Sequence, residues 1–146
     1  MRVDLLCSWG GHLQEMMELK GAWEAYNCRF ITYESVRTDD LEEPKFLLIP
    51  PWKSRFRFIL SLARLLPKVL FDKPDVLIST GMGHADIFLF PLCKFLGAYT
   101  IYIESGANVT ELSGSASFIR RFCDRFIVRW ESLAEQIGAE YHGGIF

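Results

Sequence analysis

Three short stretches hold the residue types able to handle a proton or an oxyanion: Ser8-Trp9-Gly10-Gly11-His12, Thr80-Gly81-Met82-Gly83-His84 and Glu104-Ser105-Gly106. Each closes an apolar, β-friendly run, and the first two lead straight into a helical pattern. Glycines there let the backbone approach a ligand, and the free N–H groups of a first helical turn favour anionic or polar oxygen. An imidazole at His12, ordinarily titrating at about 6.5, suits removal of a proton from a sugar hydroxyl attacking an anomeric carbon. The competing reading makes His12 a residue that caps or lines its turn. Glu104 either orients an acceptor hydroxyl or accepts N–H bonds from the next helix. Gly-Gly-His falls short of a G-x-G-x-x-G fingerprint, no acidic residue clearly closes the second strand to hold a ribose, and a Walker lysine is missing, which argues against ATP hydrolysis. His84 and His142 lack supporting spacing. No His/Cys/Asp cluster has ligand spacing, so neither a metal nor a cofactor is expected.

These residues must be positioned by strands alternating with helices. Strands are expected from Val3 onward and over 28–33, 45–49, 75–79, 99–103 and 125–129; helices over 12–26, 52–71, 85–96, 113–122 and 130–137. In the first helix Leu13, Met16, Met17 and Trp23 supply the apolar face, and Gln14, Glu15, Glu18 and Lys20 the wet one. The acidic stretch 34–44 reads as an exposed loop. The helix over 85–96 is so apolar that deep burial, or a lipid or protein neighbour, is expected, with a kink at Pro91. Ser113 or Ser115 is the N-cap of the helix after Glu104. The alternation implies right-handed βαβ units: an α/β, Rossmann-like, doubly wound and mostly parallel sheet. All three stretches then meet at the carboxyl edge, where open α/β sheets take their ligands.

The segment 52–71 is the second informative one. Lys53, Arg57, Arg64 and Lys68 are spaced by four, seven and four, which at about 100° per residue sets them on one side of a helix. The apolar arc opposite is wider than packing on one sheet face demands, and Pro67 is expected to kink or end the helix. One reading is an ordinary covering helix with solvated cations. The other lays part of this arc, with Trp52 and the basic row, against an anionic membrane surface.

Composition sets the outer bounds. The 146 residues suit one domain with a proper core, half of them are hydrophobic and 14% aromatic, and the net charge of −2 excludes a globally basic nucleic-acid binder. Cys7, Cys28, Cys93 and Cys123 form no C-x-x-C pair and read as reduced thiols in a cytosolic protein. No signal peptide is read, and no apolar run reaches the ~20 residues of a bilayer span, so any membrane role is expected to be peripheral.

Ser8-Trp9-Gly10-Gly11-His12, Pro74-Asp75-Val76-Leu77-Ile78-Ser79-Thr80-Gly81, Tyr102-Ile103-Glu104-Ser105, Leu112-Ser113, Asp124 to Trp130 and the terminal Tyr-x-Gly-x-Ile-Phe run in order along nearly the whole chain. Together they resemble the acceptor-side, membrane-associating subunit of the two-part UDP-GlcNAc transferase of asparagine-linked glycan assembly. The match looks closest to that subunit's bacterial counterparts in capsule and exopolysaccharide synthesis. The resemblance implies the N-terminal half of an inverting B-type glycosyltransferase, spanning 1–146 as a single acceptor-side domain. In it Gly10, Gly11, Gly81, Gly83, Ser105 and Asn108 would line the acceptor side, His12 would be the general base and Glu104 its companion. It further implies a small partner subunit carrying the UDP-sugar half, a lipid-pyrophosphate-linked oligosaccharide as acceptor, and a peripheral place on the cytoplasmic face of the inner (plasma) membrane. Eukaryotic members carry an N-terminal spanning helix, so 52–71 is expected to provide the foothold here. The chain departs from the family pattern at Asn108, where an arginine is common, at Ala116-Ser117 in place of Gly-Lys, and at Arg129 in place of Gln. Two rival readings are a non-catalytic recruiter of the partner and an unrelated single-domain α/β nucleotide-binding protein.

Overall fold

The computed structural model describes residues 1–143. Six strands, β1 (Arg2–Cys7), β2 (Asn27–Tyr33), β3 (Lys45–Leu48), β4 (Val76–Gly81), β5 (Tyr99–Ile103) and β6 (Arg125–Ile127), form one sheet in the order β3-β2-β1-β4-β5-β6. Every pairing is parallel. The order reverses direction between β1 and β4, the doubly wound pattern whose crevice opens beyond the carboxyl ends at that switch point. The fold is therefore the Rossmann-like α/β arrangement expected from the alternation of patterns.

Helices α1 (Gly11–Glu18) and α2 (Lys20–Trp23) cover one face, burying Leu13, Met16 and Trp23 against Val3, Leu5, Cys7 and Phe30. On the other face α4 (Arg55–Phe71) and α5 (His84–Phe95) bury Phe58, Leu65, Val69, Leu89 and Phe90 against Leu6, Ile31, Leu77 and Tyr102. Successive side chains of a strand point to opposite faces, so a strand buried on both sides reads as a nearly continuous apolar run. Asp4 interrupts β1 but is fully buried and held by Arg29 of β2 at 3.1 and 2.8 Å.

Several boundaries differ from expectation for local reasons. The first helix breaks at Leu19, because the Met16 carbonyl accepts from Leu19 N–H at 3.1 Å and from the Trp23 indole at 3.1 Å, which tightens the turn. The acidic loop holds one helical turn, α3 (Val36–Asp39), started by a reciprocal Ser35–Thr38 capping box and closed by Lys45 Nζ on the carbonyls of Thr38, Asp39 and Leu41. Pro67 and Pro91 do not end their helices, which run on to Phe71 and Phe95. After β5, Ser113 caps α6 (Gly114–Ile119), a 3₁₀ turn follows at Arg120–Phe122, and α7 (Glu131–Ile137) succeeds β6.

Lys53 lies in the turn before the α4 N-cap Ser54, so only Arg57, Arg64 and Lys68 of the expected row stand on the helix. They run along one flank. The buried stripe is Phe58, Ser61, Leu65 and Val69, and the opposite face exposes Phe56, Ile59, Leu60, Leu66, Leu70 and Phe71. Exposed Phe88 and Phe95 extend that apolar surface onto α5. Among the described residues no helix is long and apolar enough to cross a membrane. The four cysteines are free thiols; three are buried and Cys123 is half-buried. The last three residues of the terminal Tyr-x-Gly-x-Ile-Phe match lie outside the described residues.

Candidate functional site

The switch point is built by a fault in the β1–β4 ladder. Leu6 pairs with Ser79 but Cys7 pairs with Gly81, so Thr80 is an extra residue on β4. Such bulges free a residue from the ladder and re-aim it. Thr80 uses that freedom on the first helix: its carbonyl accepts from His12 Nδ1 at 2.8 Å, and its hydroxyl donates to the His12 carbonyl at 2.8 Å. A carbonyl only accepts, so Nδ1 carries the proton in the neutral ring and Nε2 is left as the nitrogen able to take another.

Gly81 makes room for the imidazole. A Cβ there would stand 2.9 Å from both Cε1 and Nδ1 of His12, and its φ of +123° is one that side-chain-bearing residues avoid. The Gly10 N-cap sits at φ +91° and makes the sharp turn that delivers His12 to the start of α1.

A cavity of about 260 Å³ opens at this edge, walled by His12, Gly81 and Gly83, by Tyr33 and Trp52, by His84, and by Glu104, Asn108, Ser113 and Ser115. All three stretches singled out in the sequence thus reach one place. Gly10, Gly11 and Ser105 stand outside the wall. Trp52 meets Tyr33 edge-on at 5.1 Å, so it belongs to the cavity rim as well as to the start of the basic segment.

Glu104 is 1% exposed. Oε1 accepts from Ser105 N–H at 3.1 Å and Asn108 Nδ2 at 2.9 Å; Oε2 accepts from Ser113 N–H at 3.3 Å and its hydroxyl at 3.4 Å. Its carboxylate therefore holds the 104–113 loop and the start of α6 together while facing the cavity.

Sequence reasoning missed three side chains here. Glu15, assigned to the wet face of the first helix, is 7% exposed. Its Oε1 accepts from Ser105 Oγ and Gly106 N–H, both at 3.2 Å, and Oε2 lies 3.7 Å from His12 Nδ1. Burial alone would raise the Glu15 pKa, but the nearby His12 imidazole, the Gly106 N–H bond and the charge of Arg129 outweigh it and hold it below the ordinary value. Arg129 is itself buried, 4.0 Å from Glu15 Oε1. His12 is pushed above its ordinary value by its interaction with Glu15, against the opposing effect of burial. The third is Asp86, fully buried one turn into α5, accepting from Ser79 Oγ at 2.7 Å and Met82 N–H at 2.5 Å. Burial raises its pKa to about 6. Only packing against other strands buries these three, and helical periodicity does not register it.

A parallel α/β domain with an imidazole, a carboxylate and hydroxyls around a crevice at its switch point is a domain built to hold a polar ligand at its carboxyl edge. The chain belongs to the family described as oligosaccharide biosynthesis protein Alg14 like, whose model matches residues 48–146. Among curated relatives, the UDP-N-acetylglucosamine transferase subunit ALG14 of Yarrowia lipolytica is 39% identical over 77 residues, covering 49% of this chain and 36% of the relative. The subunit of Schizosaccharomyces pombe is 41% identical over 78 residues, 50% of this chain and 37% of the relative. That of Mus musculus is 29% identical over 174 residues, 93% of this chain and 78% of the relative. The chain thus spans little more than a third of the yeast relatives that it matches.

Proposed function

We propose that this chain is the acceptor-side subunit of a heteromeric glycosyltransferase that moves a sugar from a UDP-sugar to a lipid-pyrophosphate-linked oligosaccharide. The observation that carries the reading is His12, held in one tautomer by Thr80 on the wall of a carboxyl-edge cavity, in a member of a family with relatives named as UDP-N-acetylglucosamine transferase subunits. Family membership also removes the unrelated nucleotide-binding protein from consideration. The motif reading extends the setting to bacterial capsule and exopolysaccharide synthesis.

In this reading the acceptor hydroxyl gives its proton to His12 Nε2 as its oxygen attacks the anomeric carbon, and UDP leaves with the bonding electron pair. Inversion follows from the single displacement. Asn108, Ser113 and the Gly81–Gly83 turn offer polar contacts to the acceptor, Glu104 orients it or shapes the loop around it, and the Gly10-Gly11 turn and Ser105 support from behind. A small partner subunit brings the UDP-sugar. The apolar face of α4 and α5, flanked by Arg57, Arg64 and Lys68 with Trp52 and Lys53 at its head, rests on the anionic cytoplasmic leaflet.

The recruiter alternative keeps one observation in its favour: the Glu104 carboxylate is fully engaged by its own loop. Turnover of the reconstituted two-subunit enzyme separates the readings. His12→Ala should lower kcat by roughly 10²–10⁴-fold with the complex still assembled, the range expected for loss of a general base. Near-normal turnover in that variant would make this chain a recruiter alone.

A further inference from the structure

Among the described residues one buried carboxylate oxygen near the cavity has no hydrogen-bond partner: Oε2 of Glu15. It lies 3.7 Å from His12 Nδ1, one helical turn away on α1. The other oxygen of the same carboxylate takes the Ser105 hydroxyl and the Gly106 N–H. Glu15 therefore stands between the helix that carries the imidazole and the turn that follows β5, and touches both.

We propose that Glu15 is the positioning residue of this site, fixing the His12 ring to the 105–106 turn and holding it when it becomes an imidazolium. The inference rests on the reading of His12 as the base. A neutral ring needs only the Thr80 carbonyl. Once Nε2 takes the acceptor's proton, the ring carries a full positive charge in a half-buried place, and a carbonyl dipole alone compensates it poorly. A small rotation brings Nδ1–H toward Oε2, so the ion pair tightens as the charge develops and costs little before it. An interaction stronger in the transition state than in the ground state is the kind that raises kcat.

The surroundings fit this division of labour. Arg129, from the segment after β6, approaches the oxygen that faces away from His12, which keeps Glu15 ionised without pairing off Oε2. The Trp130 indole donates to the Gly106 carbonyl at 2.8 Å and so fixes the turn that Glu15 grips. Among the described residues the other ionisable groups around the imidazole are Asp86 of α5, which adds a weaker favourable charge, and Tyr33, His84, Tyr102 and Glu104 of the cavity wall. Both oxygens of Asp86 and both of Glu104 are already taken by their own hydrogen bonds.

The test uses Glu15→Gln, which keeps the shape and an acceptor for Ser105 and Gly106 but loses the charge, and Glu15→Asp, which keeps the charge and shortens the reach. The His12 ring-proton titration is followed by NMR in the isolated chain, where no transfer activity is needed. The midpoint should fall in Glu15→Gln and stay nearer the parent in Glu15→Asp. In the two-subunit enzyme, kcat should drop by up to about a hundredfold, as for misplaced reacting groups, and the acidic limb of the rate profile should move to lower pH. A His12 midpoint unchanged in both variants overturns the proposal. A shifted midpoint with an unchanged rate and profile upholds the hold of Glu15 on the ring and overturns His12 as the base.

Discussion

Gly81 lacks a side chain at the very spot where the edge of the His12 ring stands. Gly81→Ala would force a methyl to 2.9 Å from two ring atoms and place alanine at φ +123°. The cost in stability should be about 1–3 kcal/mol, the range for strained backbone, read as a lower midpoint in thermal unfolding. Activity of the assembled enzyme should fall further than that loss explains, because the ring must swing off the Thr80 carbonyl. An unshifted His12 ring-proton signal in Gly81→Ala would refute the contact. His12, Gly81 and Glu104 were legible in the sequence because each stands in a stretch that closes a strand, and strand ends of a parallel sheet share an edge. Glu15 was not. It sits between Gln14 and Glu18 on a short helix, and only the arrival of Ser105, Gly106 and Arg129 from the segments after β5 and β6 makes its place dry.

At the scale of elements, α4 and α5 repeat one design, a buried stripe backed by an exposed apolar face, and the turn before α4 and the start of α5 belong to the cavity. The α5 start depends on Asp86. Its pKa is raised to about 6 by burial, so its contribution to stability is fully present below about 3.8, the unfolded value for an aspartate, and is lost as pH rises through about 6. Asp86→Asn should remove that falling component from the denaturant midpoint between pH 4 and 7. Asp86→Ala should cost about 1–3 kcal/mol below about pH 4, where the carboxyl's contribution is fully present and Met82 N–H loses its acceptor. An identical pH dependence in the parent and Asp86→Asn would contradict this account. On α4, Phe56 is 71% and Phe71 90% exposed, so glutamates at both should shift folding stability by less than about 0.5 kcal/mol. The same pair should abolish sedimentation with vesicles rich in anionic lipid, and neutralising Arg57, Arg64 and Lys68 should weaken it. Sedimentation indifferent to lipid charge and to both sets of changes would remove the membrane face. The width of this arc could be read from the sequence, since residues at about 100° steps filled more than one face. The position of Lys53 could not, because Ser54 takes the N-cap and the preceding turn carries Lys53 off the helix.

For the whole molecule, the alternation of patterns was enough to specify a parallel sheet, because βαβ crossovers leave little freedom of hand or order. The bulge at Thr80 was hidden, since it depends on a ladder between residues 70 or more apart in the chain and leaves no composition of its own. In the proposed reading the carboxyl edge is an open half-site. Pockets that enclose most of a drug-sized ligand run to about 300–1,000 Å³, and this open cavity holds about 260 Å³. In the proposed reading that space takes a sugar ring and its attacking hydroxyl, and the donor comes with the partner subunit. Calorimetric titration of UDP into the isolated chain should therefore show no saturation below about 1 mM, a binding free energy no better than about −4 kcal/mol. Adding the donor-binding subunit should bring saturable UDP binding and transfer together. His12→Ala should then remove the transfer and leave the UDP binding intact, because in the proposed reading the imidazole meets the acceptor and not the diphosphate. Tight UDP binding by this chain alone would mean that the donor sits here, and the division of the reaction between two polypeptides would have to be abandoned.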